Sequence, residues 1–256
     1  MEVHHHAHTP RKKWTHYFWE FLMLFLAVTL GFFVENQREH YIEHARAKDF
    51  SKTLVKDLLH DTAAIHLQKK SAEIYITMAD SLLALSKTRL EGRNASRFSF
   101  YTRFMYWTVP IIWNRATFEQ IKNSGSLRYF KNYHLLEKMT KYEALVNDIG
   151  SEAANHTVRG NLLLNQINVV IEPAIHHELS KYFIWSSDTM STETIESLFA
   201  INIESLENRR SEIKEMLNMI VVQQRNLRRS IDIPWNEAEK LAIELINDLK
   251  NKYHIK

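Results

Sequence analysis

The sequence predicts an all-α protein: an N-terminal transmembrane helix that continues into a long helix, followed by an elongated antiparallel helical bundle. Three observations predict it. Only 5 glycines and 4 prolines occur in 256 residues, so few positions would break a long helix. Apolar residues recur at three- and four-residue spacing through most of the chain, the period of a helix with one buried face. One stretch, Trp14 to Val34, is apolar almost all round. On this basis residues 1–13 form a disordered basic, His-rich tail, 14–34 a transmembrane helix, and 35–256 a helical bundle domain.

The anchor comes first. From Phe21 to Val34 no residue is charged and Thr29 carries the lone hydroxyl. Fourteen residues are short for a span, which needs roughly 20 to cross about 30 Å of hydrocarbon. Extension back to Trp14 supplies the length and brings in Thr15, His16 and Glu20, near enough to the end to reach the headgroups. Trp14, Tyr17 and Trp19 are interface-type aromatics. Phe21, Leu22, Phe25, Leu26, Phe32 and Phe33 supply lipid-facing bulk. An interfacial helix would need a polar face, and a signal peptide would need a small-residue cleavage site after the run; the sequence offers neither. Arg11, Lys12 and Lys13 crowd the N-terminal side, and only Arg38 is close to the other. By the positive-inside rule the N-terminus is cytoplasmic and the main domain lies outside, in the periplasm if the membrane is a bacterial inner membrane.

From Glu35 to about Leu90 there is no glycine or proline. Ala47, Phe50, Leu54, Leu58, Ile65, Ala72, Ile76, Ala79 and Leu83 form a helical stripe, with Lys48, Asp49, Lys52, Lys56, Asp57, Lys69 and Lys70 on other faces. The anchor is expected to run on into this helix, and Gly92 to take its left-handed C′ position. Arg97 to Asn114 is rich in aromatic residues and broken by Pro110. It is expected to cap the bundle, and Tyr101, Phe104, Tyr106, Trp107 and Trp113 become an interaction surface if they stand exposed together. Thr117 or Asn114 is placed to cap a short helix that Gly125 closes, and Ser126 or Asn132 to start the next. Leu127 to Val170 reads as a long helix weakened at Gly150 and Gly160, with Leu135, Leu136, Met139, Tyr142, Leu145, Val146 and Ile149 on one face. Pro173 breaks the path, Ala174 to Trp185 reads as a short helix, and Ser186 to Thr192 as a linker. Ile195 to Leu227 reads as a second long stripe ended by Pro234. Leu241, Leu245 and Leu249 mark a final helix from Trp235 to Tyr253.

The order of these features carries a resemblance. A basic tail precedes Trp14, Phe18, Phe21 and Leu22, then Phe25 to Phe32 and Glu35-Asn36; Lys56-Asp57-Leu58 and Phe118-Glu119 with Ser124-Gly125 and Leu127 follow. This resembles a group of uncharacterised single-pass membrane proteins common in bacteria of the Bacteroidota lineage. The resemblance is best over about 70 residues from Trp14 and around the Ser-Gly turn. It implies an inner-membrane anchor and a helical extracytoplasmic domain, and brings no catalytic residue.

Function classes narrow accordingly. The absence of cysteine removes disulfides, thiolate metal sites and a thiol nucleophile. Lys+Arg number 33 against 30 Asp+Glu, a net +3, and the charges are interspersed. Arg225, Arg228 and Arg229 read as a solvated face, so no nucleic-acid partner is expected. His40-Tyr41-Ile42-Glu43-His44 matches the inverted zinc-protease pattern H-x-x-E-H. It has no third ligand in sight, so a zinc hydrolase is a minor alternative. His4, His5, His6 and His8 are a compositional signal without a site. No catalytic residue, cofactor or metal is assigned. The expected partners are the lipid bilayer and another membrane protein, or a second copy, joined through helix faces. The function expected first is a non-enzymatic scaffold or accessory subunit of the bacterial cell envelope; an extracytoplasmic sensor domain that uses residues 98–113 is the second.

Overall fold

The computed structural model describes residues 13–106, 110–181 and 190–255. Among them the fold is all-α, with no strand. The expected tail, Trp107, Trp185 and most of the expected linker lie outside the described residues.

Helix α1 runs without interruption from Trp14 to Leu85, 72 residues, roughly 108 Å at 1.5 Å per residue. Its burial divides it in two. From Trp14 to Tyr41 it is exposed apart from Leu22, which is half-buried. From Ala47 onward a stripe of Ala47, Leu54, Leu58, Ile65, Ala72, Ile76, Ala79 and Leu82 is buried. The helix ends at Leu85, earlier than the glycine signal suggests. Ser86 and Thr88 hydroxyls turn back onto the carbonyls of Leu83 and Leu85, both at 2.8 Å. Arg210 then donates to the Ser86 and Thr88 carbonyls, so a side chain from a distant helix satisfies groups that the end of α1 leaves free. Gly92, at φ 50° and ψ −129°, is the N-cap residue of the next helix and not a left-handed cap of α1.

The chain turns back at the far end through α2 (Arg93–Thr102). It returns along α1 through α3 (Ala116–Asn123) and a 3-10 turn at Ser126–Tyr129. Gly125 between them is left-handed, φ 68°, as a turn there requires. Helix α4 (Tyr133–Val170) starts on Asn132, whose Oδ1 accepts from the Leu135 N–H at 3.1 Å. It passes Gly150 and Gly160 without a break, because packing holds the helix where propensity is weak. At Gly160 a side chain would meet the Tyr106 carbonyl oxygen at 2.8 Å, so the glycine lets the returning strand of chain cross close to α4. Pro173 opens α5 (Pro173–Leu179), and Ser191 caps α6 (Thr192–Phe199) by accepting from the Thr194 N–H.

The stripe expected to be one helix from Ile195 onward is two. Residues 201–206 are irregular, because the Leu206 N–H pairs with the Leu90 carbonyl at 3.0 Å and the Ile201 carbonyl with the Ser96 hydroxyl. Helix α7 (Arg210–Ser230) then leads into α8 (Asn236–Tyr253). Pro234 does not end the path. It sits in a π-helical turn, Ile231–Trp235, that joins the two helices; the wider turn makes room for a ring that would clash in an α-helix and has no N–H to donate.

Three long elements form the bundle. Tyr253 packs on His44, rings 5.7 Å apart; Lys69 pairs with Glu239; Gln224 donates to Asp80 at 2.7 Å. The α7–α8 run is therefore antiparallel to α1. Lys138 reaches Asp248 at 2.8 Å, and Arg209 donates to the Val169 carbonyl at 2.8 Å, so α4 is antiparallel to α7–α8 and parallel to α1. Leu241, Leu245 and Leu249 are buried against this seam. Helices α2, α5 and α6 close the end of the bundle far from the N-terminus.

Candidate functional site

Trp14, Tyr17, Trp19, Phe21, Phe25, Leu26, Phe32 and Phe33 are all exposed, and none of the most apolar window of α1 is covered by the rest of the chain. Mean hydropathy across that window is 1.9. Helix α1 is the one helix among the described residues long and apolar enough to cross a membrane. A phenylalanine or leucine side chain left in water forgoes about 1.5–3 kcal/mol, so a run of this length calls for an apolar surrounding.

The aromatic segment takes the other route. Phe98 and Phe100 are fully buried and Phe104 nearly so; Tyr101, Tyr106 and Trp113 are half-buried and packed against the core. Phe100 and Phe199 meet edge to face at 5.2 Å, and Arg97 and Arg93 lie over Phe199 at 5.6 and 5.5 Å. Trp113 packs on Tyr142 at 6.5 Å. The rings thus stitch α2 to α6 and the returning chain to α4. Among the described residues these rings do not form one exposed patch, and Phe104 lies in the core.

His40 and His44 occupy one exposed side of α1, but they have separate neighbours. The Lys131 ammonium lies 2.9 Å from His40 Nδ1 and 2.9 Å from Glu43, while His44 packs at a tilt on Tyr253. Among the described residues no group of three or more His, Cys, Asp or Glu is arranged to hold a metal ion.

Two polar sites lie where the helical stripes continue through hydrophilic residues. In the first, Asp57 and Asp61 are buried on α1, although Asp57 belongs by charge to a solvated face. Asp61 Oδ1 accepts from the Asn114 N–H at 2.8 Å and Oδ2 from the Tyr142 hydroxyl at 2.8 Å. Asp57 accepts from the Thr117 N–H at 3.2 Å. Capping of α3 therefore comes from α1, and neither Thr117 nor Asn114 caps it by side chain. Burial raises the Asp61 pKa above its ordinary value, and the Asn114 and Tyr142 hydrogen bonds partly oppose the shift.

The second is a cavity of about 410 Å³ between α4, the α7–α8 junction, Gln68 of α1 and the Pro110-Ile111 stretch. Ile149, Leu227, Trp235 and Pro234 make its apolar walls; Asp148, Glu152, His156, Asn226, Arg229 and Ser230 bring polar groups to it. The π turn forms one wall. His156 is only 6% exposed. Its Nδ1 lies 3.1 Å from Gln223 Oε1, and its buried Nε2 has no hydrogen-bond partner. Burial holds the imidazole pKa below the usual histidine range, and Arg159 adds to the effect. Glu152, 3.7 Å from Nε2, is bound by Arg159. One signal for this site is present in the helical stripes. His156 continues the α4 stripe between Ile149 and Leu163, and Gln68 continues that of α1 between Ile65 and Ala72. A polar residue in register with core positions must find a partner or a function.

Comparison of the chain with protein-family models, with curated proteins and with solved structures finds no match.

Proposed function

We propose that the protein is a single-pass component of the bacterial inner membrane that works as a non-enzymatic scaffold or accessory subunit. Residues 14–34 cross the bilayer, the N-terminal tail is cytoplasmic and the bundle stands in the periplasm. The observation that carries this is α1 itself. Its uncovered apolar part is roughly 31 Å long, which matches the hydrocarbon thickness of about 30 Å, and it continues without a break into the core of the bundle. From Val34 to His40, where Lys131 of the bundle first reaches the helix, α1 adds roughly 9 Å. The headgroup layer on one side takes up about 5–8 Å, so the helix sets the base of the bundle against the membrane surface at a fixed height. The partner is another membrane protein, or a second copy, engaged through helix faces. The resemblance to Bacteroidota single-pass proteins supports the same assignment.

The chain has no cysteine, which makes topology directly testable. In intact cells with a permeabilised outer membrane, a membrane-impermeant maleimide should label Ser151→Cys but not Thr9→Cys, and the protein should stay in the pellet after alkaline carbonate washing. Release by carbonate, or labelling of Thr9→Cys alone, would contradict the anchor or its orientation. Crosslinking in membranes should recover a partner or a dimer; a chain that remains uncrosslinked counts against the scaffold role.

A further inference from the structure

Helix α4 changes character along its length. Its first half is studded with charge, from Glu137 to Glu152. From Ala153 to Ile171 the one Lys, Arg, Asp or Glu is Arg159, and Glu152 holds it at 2.5 Å. Yet this stretch is not buried all round. Its core face is His156, Gly160, Leu163, Ile167 and Val170. Turned away from that face, Val158, Leu162 and Val169 are 61%, 55% and 50% exposed. At about 100° per residue they fall within about 40° of one another around the helix. Asn155, Val158, Leu162, Asn165 and Val169 alternate spacings of three and four, the a/d pattern of a two-helix seam. Helix α4 thus carries two seams, one buried in its own bundle and one open. Gln68 lines a cavity with His156 and is roughly 50 Å beyond Val34 along α1, so the open seam stands in water, out of reach of lipid.

Charge and topology name the occupant. In a two-fold contact each residue near the axis meets its own copy, so any charge there would face a like charge. This face of α4 carries none. The charges beside it are matched within the chain, Arg159 by Glu152 and Arg209 by the Val169 carbonyl at 2.8 Å and Glu172 at 3.8 Å. Helix α4 runs parallel to α1. The inference rests here on the reading of α1 as an anchor: two copies inserted in one bilayer in the same sense form a closed pair only about a two-fold axis along the membrane normal. That axis sets α4 beside its copy in parallel and in register. Asn165 then meets its own copy, and an amide both donates and accepts; a polar residue at such a position fixes register in a seam of this kind. The face offers fewer residues than the roughly 20–30 a side of a standard interface. Confinement in one bilayer acts as a short linker does, raising the effective concentration of one copy around the other. We propose that two copies pair through the outer face of α4, parallel and in register, with Val158, Leu162 and Val169 each against its own copy.

The cysteine-free sequence allows a direct test. Single-cysteine forms of the full chain are reconstituted at high lipid dilution in phosphatidylcholine–phosphatidylglycerol vesicles and oxidised with copper phenanthroline. Val158→Cys and Val169→Cys, about 16 Å apart along α4, should each give roughly tenfold more disulfide dimer than the exposed Lys214→Cys of α7. An antiparallel pair would bridge at most one of them. Leu162→Glu added to Val169→Cys should cut the dimer roughly tenfold, because like charges then meet. Mixing that chain with one carrying Leu162→Lys and Val169→Cys should restore it. Bridging at the Lys214→Cys level, bridging at one end only, or undiminished dimer with Leu162→Glu would overturn the pairing. Alkaline carbonate washing of the same vesicles tells the two readings apart. A chain that is retained but gives no dimer refutes the pairing alone, whereas a chain that is released refutes the anchor and, with it, the shared orientation.

Discussion

Asp61 shows how a single side chain can tie three segments together. It accepts from the Asn114 N–H and the Tyr142 hydroxyl while 2% exposed. Its removal strands both donors. Asp61→Ala should cost about 2–4 kcal/mol, because each buried unsatisfied group costs about 1–3 kcal/mol. Asp61→Asn keeps the oxygen for Asn114 and lets the Tyr142 oxygen accept from the new amide, so its cost should be far smaller; urea denaturation of the three proteins checks the order. The pH dependence follows from the raised Asp61 pKa. The folded state binds this proton more tightly than the unfolded state, so wild type should lose stability relative to Asp61→Asn as pH climbs above about 4. His156 behaves oppositely. Its folded pKa is depressed by burial, so the unfolded chain takes up the proton first. Stability should be complete above pH about 6.5 and fall as pH drops through the folded-state pKa. Glu152 partly offsets this and Arg159 adds to it. Melting curves at pH 7.5 and 5.5 should show a loss for wild type that His156→Gln reduces.

At the scale of elements, α1 does two jobs with one backbone. Between Val34 and His40 it has little tertiary support, and an isolated helix of this length is marginal. It persists because both ends are held, one in the bundle and the other, on the proposed reading, in lipid. Glu39→Pro should therefore break the rod at a cost of about 3 kcal/mol and move the melting temperature of the bundle little. Spin labels at Tyr17→Cys and Glu73→Cys should report one narrow distance in the parent and a broad distribution in the proline variant. The α7–π–α8 run makes the complementary point. Proline read in isolation is a terminator, yet Pro234 is carried within one continuous path because Trp235, Ala238 and Leu241 on its far side are buried against the other helices. Packing energy summed over those side chains outweighs the local disruption.

For the whole molecule, the uncovered run makes no contribution to the core of the bundle. Residues 35–256 should thus fold alone, as a detergent-free monomer that melts within a few degrees of the full chain in detergent. Aggregation or loss of cooperative melting in that truncation would mean that the bundle depends on its anchor.

Sequence by itself determined the all-α class, the single apolar run and its junction with a longer helix, the Gly125 turn, Asn132 as one of two candidate starts for the helix that follows, and the buried faces of α1, α4 and α8. These are set by local rules: helical period, φ preference and side-chain-to-backbone bonds within a few residues. Tertiary structure decided the rest. Asp57 and Asp61 look solvated until Thr117, Asn114 and Tyr142 are brought beside them across 53 to 81 residues of chain. Phe100 and Trp113 could have lain on a surface or in a core, and only the arrival of Phe199 and Tyr142 settles it. His156 was one polar residue in a stripe until the π turn left space before it. Each of these depends on which distant segment fills a given volume, and periodicity along one helix carries no information about that.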